Sequence, residues 1–77
     1  MAAAREGRIY SHYKDPSKRY RVLHVGVIRE ADLKPVVIYE QLYACPEFPW
    51  GTKWCRDQES FEGLASEGVE RFRLEDD

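Results

Sequence analysis

Four side chains in this sequence are of types that can act as nucleophiles or move protons: Cys45, Cys55, His12 and His24. Nucleophilic catalysis needs an activated nucleophile, a base within hydrogen-bond reach and a group that orients the base. The order of these four residues matches no such arrangement, and the chain has no glycine-rich phosphate loop. We therefore predict no catalytic residues and no enzymatic activity. The two functions considered first are binding functions, and an enzyme is the third alternative.

Two Cys and two His are also too few for a four-ligand zinc site of ordinary spacing, so neither a metal nor a cofactor is expected. Cys45 and Cys55 flank a predicted hairpin loop and could face each other. Residues 1–6 lack the apolar segment of a signal peptide, and thiols inside cells are normally kept reduced. We predict two reduced thiols in a cytoplasmic protein, with a disulfide as the alternative. No apolar run approaches the ~20 residues that span a bilayer, so no membrane partner is expected.

Aromatic rings alternate with cations in two parts of the chain. Single-stranded nucleic acid binding uses this combination, because bases stack on rings while Lys and Arg neutralise phosphate. The alternative is that the rings fill the core of a small domain. The predicted ligand-binding residues are Tyr10, His12, Tyr13, Lys14, Trp54 and Arg56.

Charge is divided unevenly along the chain. Residues 1–40 carry eight Lys and Arg against five Asp and Glu, whereas residues 41–77 carry four against nine, and the net charge is −2. A net charge this small argues against a general polyanion binder. The uneven charge is explained by a solvated surface with an acidic tail, and a basic patch for an anionic partner is the alternative.

The segment 45–51 reads Cys-Pro-Glu-Phe-Pro-Trp-Gly and combines two prolines with two large aromatic residues. A core built from fewer than roughly 70–80 residues supplies only ~3–5 kcal/mol, so small proteins often recruit partners. Strand edges left exposed would offer further contacts. The second predicted function is therefore a protein-interaction or self-associating scaffold domain, with Phe48 and Trp50 as its contact residues.

The elements that must position these side chains are mostly strands. Residues 20–29 alternate across two faces that are both partly apolar, which predicts a long strand shared between neighbours. Gly26 in its middle predicts a bend or bulge. His24, between Val22 and Gly26, is expected to be a neutral histidine in the core.

Further strands are predicted at residues 8–14, 36–44, 52–56 and 69–74, with a turn at 15–17. Asp57 and Glu59 are typical of a helix start, and Phe61 with Leu64 gives a short apolar stripe of one or two turns. This count predicts a mainly β protein: a small five-stranded bent-sheet barrel, Sm-like or SH3-like, with at most one short helix. An open α+β sandwich is the alternative.

At 77 residues the chain has room for one domain. Residues 1–6 are expected to be a disordered lead-in, residues 7–74 the single β-barrel domain, and residues 75–77 an acidic tail.

Four blocks in order carry a resemblance to a known family. They are Gly7-Arg8-Ile9-Tyr10-Ser11-His12-Tyr13-Lys14, then Tyr20-Arg21-Val22-Leu23-His24-Val25, then Val36-Val37-Ile38-Tyr39-Glu40-Gln41-Leu42-Tyr43, and last Trp54-Cys55-Arg56 with Phe61 five residues after the Arg. Together they resemble a family of short bacterial domains of unknown function, the one numbered sixteen-fifty-three.

The resemblance covers most of residues 7–73. It implies a small barrel, and it implies no particular activity because none is established for the family. The matching positions are Tyr10, His12, Tyr13, Lys14, Tyr39, Leu42, Tyr43, Trp54, Arg56 and Phe61. The chain departs from the pattern at Asp57, where a Pro is usual, and in the loop 44–53, which is longer than usual. Sm-type uridine recognition is not implied, because the sequence has no Asn and no Arg-Gly pair.

Overall fold

The computed structural model describes residues 3–75. It contains seven strands and one short helix within that part of the chain. The elements are β1 Ile9–His12, β2 Asp15–Arg29, β3 Lys34–Gln41, β4 Lys53–Asp57, α1 Gln58–Glu62, β5 Leu64–Ser66, β6 Val69–Glu70 and β7 Phe72–Leu74. The described residues contain no helix with the length and apolar character needed to cross a membrane.

Five of the strands form one antiparallel sheet in the order β4-β3-β2-β1-β7, and β5 pairs with β6 in a separate hairpin. The predicted mainly β fold, with a five-stranded bent sheet and one short helix, is confirmed. Among the described residues the outer strands β4 and β7 do not pair, so the sheet is not closed into a barrel. Helix α1 follows β4 directly, and its Phe61 fills the inner side of the bend.

The longest strand, β2, has 15 residues and pairs irregularly with its neighbour. Its pairing with β3 shifts register between Val22 and His24 and again between His24 and Val27. Gly26 has φ +75°, a conformation that glycine adopts without the steric cost of a Cβ, so the predicted bulge is confirmed. Each shift changes which face the next residue occupies. His24 is consequently exposed, and the predicted core histidine is wrong.

Two local predictions are displaced. The turn between β1 and β2 is Tyr13–Lys14, because His12 pairs with Asp15, so β2 has already begun where residues 15–17 were expected to turn. The helix ends at Glu62, and Leu64 begins β5 with 44% of its surface exposed. The predicted apolar stripe therefore holds for Phe61 but not for Leu64.

The core lies between the inner face of the sheet and α1. The Phe61 and Phe72 rings stack with centroids 4.1 Å apart and planes 8° from parallel. The buried apolar residues grouped around them are Ala4, Tyr10, Val22, Val37 and Tyr39. Residues from the beginning, middle and end of the described chain thus share one interior.

The two ends of the chain make specific contacts within the described residues. Ala4 is buried, and its backbone N–H donates to Glu62 Oε2 at 2.8 Å, so the lead-in expected for residues 1–6 includes a core residue. Glu75, expected in the acidic tail, accepts a hydrogen bond of 2.7 Å from the buried Ser11 hydroxyl and lies 3.6 Å from Arg19. Residues 1–2 and 76–77 of these two predicted segments lie outside the described residues.

Candidate binding pocket

The register of the sheet gathers aromatic and basic side chains on its inner face. Tyr39 pairs with Trp54 across β3 and β4, and Val37 pairs with Arg56. Residues directly opposite each other in an antiparallel pair lie on the same face. Because side chains alternate along a strand, Cys55 between Trp54 and Arg56 belongs to the other face, where it is exposed.

Only part of the inner face is covered by α1. Phe61 packs against Tyr10 and Tyr39 with ring centroids 5.3 Å away in each case. Beyond Phe61 the inner face opens into a pocket of about 290 Å³. Its walls are aromatic and consist of Tyr20, Tyr39, Tyr43, Phe48, Trp54 and Phe72.

These rings support one another by edge-to-face packing, an arrangement that aromatic quadrupoles favour. Tyr20 lies 5.3 Å from Tyr39 and 5.6 Å from Tyr43, both near perpendicular, and the Tyr20 and Tyr43 hydroxyls are hydrogen-bonded at 2.7 Å. Burial and that hydrogen bond raise the pKa of Tyr20 above its ordinary value. The wall is therefore a fixed, uncharged surface suited to the face of a flat ring.

Two cations line the same pocket. The Arg56 guanidinium lies over the Phe72 ring at 5.4 Å, and Lys18 Nζ lies 5.9 Å from the centre of the Tyr43 ring. Arg56 Nη1 donates to Ser60 Oγ at 3.1 Å, whereas its Nε is shielded from solvent and has no partner among the described residues. Glu47 is the acidic residue of the lining. The pocket thus presents more positive than negative charge, which favours an anionic ligand.

Gln41 holds the loop that closes this pocket. Its side chain is fully buried, and its Nε2 donates to the carbonyl oxygens of Tyr43 at 3.0 Å and Phe48 at 3.1 Å. Its Oε1 accepts a hydrogen bond of 2.9 Å from Trp54 Nε1. One amide therefore fixes both the loop after β3 and the orientation of the indole ring.

His12 lies at the edge of the pocket, with its ring 5.2 Å from Phe72 and nearly perpendicular to it. Burial lowers the pKa of His12 below its ordinary value of 6.5, and the positive charges of Arg56, Lys14, Arg71 and Lys18 lower it further. His12 Nδ1 accepts a hydrogen bond of 3.2 Å from the Lys14 backbone N–H. The neutral imidazole is therefore the form that this surface accommodates.

We expect the stability of the protein to fall as the pH is lowered from about 6.5, the ordinary pKa of His12. Because the pKa is lowered in the folded state, the unfolded chain takes up the proton first, and the loss ends once the pH is below the folded-state pKa. His12→Gln should remove this part of the pH dependence, which urea denaturation at several pH values measures. His24→Gln is the matched control, and an equal change in both variants would contradict the assignment to His12.

The structure brings together three of the six predicted ligand-binding residues. His12, Trp54 and Arg56 all line the pocket. Tyr10 is 2% exposed, because α1 covers its part of the sheet, and its hydroxyl accepts a hydrogen bond from the Arg5 backbone N–H. Its prediction as a surface residue is wrong.

The other two predicted ligand-binding residues lie outside the pocket. Tyr13 and Lys14 form the turn between β1 and β2, where both are exposed and Lys14 Nζ lies 5.9 Å from the Tyr13 ring. Tyr13 lines a separate groove of about 470 Å³ whose lining also includes Glu70 and Glu75. Two carboxylates make that groove a poorer place for an anion than the aromatic pocket.

The two predicted protein-interaction residues have different surroundings. Phe48 packs edge-on against Trp54 at 4.8 Å and forms part of the pocket wall. Trp50 stands near the end of the same loop with 64% of its surface exposed. The loop that was expected to be one contact site thus contributes one ring to the pocket and one to the outer surface.

Several pocket residues were not predicted as site residues: Lys18, Tyr20, Tyr39, Gln41 and Tyr43. Tyr39 and Gln41 occupy alternate positions of β3, the spacing that places residues on one face. Gln41 gave the clearest signal, because a polar amide at an inward position of an apolar strand needs specific partners. Tyr20, Tyr39 and Tyr43 gave no separate signal, because aromatic residues are common in strands whether or not they line a pocket.

Comparisons with known proteins add a family and nothing more specific. The model of one family, described as "Protein of unknown function (DUF1653)", matches residues 8–74. Neither the curated proteins nor the solved structures gave a match to the chain. Within residues 3–75, no group of three or more His, Cys, Asp and Glu side chains is placed to hold a metal ion.

Proposed function

The chain belongs to the DUF1653 family, whose function is unknown, and from the geometry of its pocket we propose that it is a non-enzymatic module that binds single-stranded nucleic acid. The observation that supports this proposal is that aromatic walls and two cations line one cavity. In this proposal one base enters the pocket, and phosphates lie near Arg56 and Lys18.

The size and shape of the pocket suit a single unpaired base. Bases of single strands can leave their stack and insert between aromatic side chains, and each base has a flat face for such contacts. A double helix keeps its bases stacked inside and presents phosphates instead. The proposed ligand is therefore a single strand, RNA or DNA, held through one base.

Charge favours this ligand over a cation held in an aromatic cage. Aromatic rings attract ammonium groups, but Arg56 and Lys18 lie over two of these rings already. Four cations are close enough to His12 to lower its pKa. An incoming ammonium would be repelled by this group, whereas a phosphate would be attracted.

The test uses Trp54 as a reporter, because its indole forms part of the pocket wall. A Trp50→Phe variant leaves Trp54 as the single tryptophan. Its fluorescence should change on titration with a short oligouridine at low salt, and the affinity should fall as salt rises, since binding releases counterions from the phosphates. Absence of salt-sensitive binding at low ionic strength would rule the proposal out.

Arg56→Gln should weaken this binding about tenfold or more, because a charge-assisted contact is worth roughly 1.5–3 kcal/mol, and should also reduce the salt dependence. Arg73→Gln is the matched control, since Arg73 is an exposed arginine on β7 outside the pocket lining. Equal losses in the two variants would indicate attraction by overall charge and not by the pocket.

A protein-interaction or self-associating scaffold domain is the second candidate, supported by the exposed Trp50. Its loop is fixed in place by Gln41, and an exposed aromatic on a rigid loop is a typical contact residue. Trp50→Ala should then abolish self-association in analytical ultracentrifugation while leaving thermal stability unchanged. A monomeric wild-type protein at high concentration would exclude the self-associating form.

The unpaired thiols of Cys45 and Cys55 support our expectation that the protein acts in the cytoplasm.

A further inference from the structure

The hydroxyl group of Tyr39 is a polar group of the pocket wall that has no partner among the described residues. Tyr39 is 6% exposed, and its ring is held between Tyr20 at 5.3 Å and Phe72 at 5.6 Å. Tyr39 nevertheless lines the pocket, and its hydroxyl forms no hydrogen bond to the residues that the structure describes. That hydroxyl is not one of the polar atoms of the described residues that are both shielded from solvent and unpartnered, so solvent reaches it, and a ligand that displaces this solvent must supply a hydrogen bond in its place.

The other polar groups around it already have partners. Trp54 Nε1 donates to Gln41 Oε1 at 2.9 Å, and the Tyr20 and Tyr43 hydroxyls are bonded to each other at 2.7 Å. The Gln41 amide is used by the loop carbonyls. Among these polar groups the Tyr39 hydroxyl is thus the one with no partner in the described residues, so both its donor and its acceptor capacity are free for a ligand.

We infer that the Tyr39 hydroxyl selects the group that enters the pocket by hydrogen-bonding to its polar edge, as the edge of a nucleobase allows. This inference rests on the proposed nucleic-acid function and specifies what the pocket recognises. Every natural base carries donors or acceptors on its edge, whereas the rings of Phe or Pro in a peptide carry none. An apolar ring would leave the hydroxyl unpartnered, and sites built to hydrogen-bond a ligand reject analogues that lack the group.

The test compares two probes of equal charge. One is a short oligouridine, and the other is the same strand with each base replaced by a phenyl group, which keeps the flat ring but removes its polar edge. The wild-type protein should bind the oligouridine about three- to tenfold more tightly, the range expected for one neutral hydrogen bond. Tyr39→Phe should bind the two probes equally.

Tyr10→Phe is the matched control, because Tyr10 is also a buried tyrosine but lies under α1 and outside the pocket lining. It loses a hydrogen bond from the Arg5 backbone N–H, so it should lose stability and keep the preference for oligouridine. Tyr39→Phe loses no hydrogen bond to the described residues and should unfold at a temperature no lower than the wild type.

The outcomes separate the inference from the function on which it rests. If the wild-type protein binds neither probe, the proposed function fails and the inference fails with it. If the wild type binds both probes equally, or if Tyr39→Phe keeps the full preference, the role of Tyr39 is overturned while nucleic-acid binding stands. The wild-type comparison decides the matter even if the variant does not fold.

Discussion

Replacing Gln41 by Leu is expected to lower the free energy of unfolding by about 2–4 kcal/mol, because it leaves two partly buried polar groups without partners and weakens the attachment of the loop after β3. The Tyr43 carbonyl oxygen would lose its donor and Trp54 Nε1 its acceptor, while the Phe48 carbonyl oxygen would keep its bond from the Cys45 backbone N–H at 2.9 Å. The loop after β3 would then be held by its backbone hydrogen bonds, by the Thr52 hydroxyl donating to the Pro49 carbonyl oxygen at 2.6 Å and by the packing of Phe48 on Trp54. Urea denaturation measures the loss as a lower midpoint.

Gln58→Leu is the control for this change. Gln58 lies at the start of α1 and makes one side-chain hydrogen bond, donating to Glu62 Oε2 at 3.2 Å, so its replacement should cost less than about 1 kcal/mol. Trp54 fluorescence provides the second measurement, since Gln41→Leu should also free the indole. A Gln41→Leu protein with wild-type stability and spectrum would show that the amide does not organise the pocket.

Phe61→Ala is expected to unfold most of the protein. Removing a buried Phe side chain costs about 3–5 kcal/mol, and a core of this size supplies only about that amount in total. Phe61 is the residue of α1 that reaches Tyr10, Tyr39 and Phe72, so no neighbouring side chain can fill the space it leaves. Circular dichroism at room temperature checks this directly.

Two other variants make the result interpretable. Phe61→Leu keeps most of the volume and should remain folded with a loss of about 1–2 kcal/mol. Phe48→Ala removes the same ring from the partly exposed pocket wall and should cost less than Phe61→Ala. A folded Phe61→Ala protein with a wild-type spectrum would mean that α1 contributes little to the core.

The sequence was sufficient for the mainly β fold and its bulge, because strand alternation and glycine positions are local signals, but not for whether the outer strands meet. Gly26 marked the bulge correctly, since only the backbone at that position is involved. His24 was misplaced because its face depends on the register shift with β3 between Val22 and His24, which is a property of the pair of strands and not of either sequence alone. The same dependence limits any sequence prediction for a bulged strand.

The candidate site could be predicted only in part for a related reason. Tyr10 and His12 share the inner face of β1, yet α1 covers Tyr10 while His12 reaches the pocket. Alternation identifies the inward positions but does not say which of them another element will cover. Phe48 and Trp50 likewise share a loop, and the bonds from Gln41 determine how that loop is set against the sheet.

The pairing of β1 with β7 also determines when the protein can fold during its synthesis. Tyr10 pairs with Leu74 and His12 with Phe72, so the first and last strands of the described chain lie side by side. Phe72 contributes both to the core stack with Phe61 and to the pocket wall. A ribosome must therefore release nearly the whole domain before the core stack or the pocket wall can form. We expect folding to be a late, concerted event whose rate is limited by this non-local pairing.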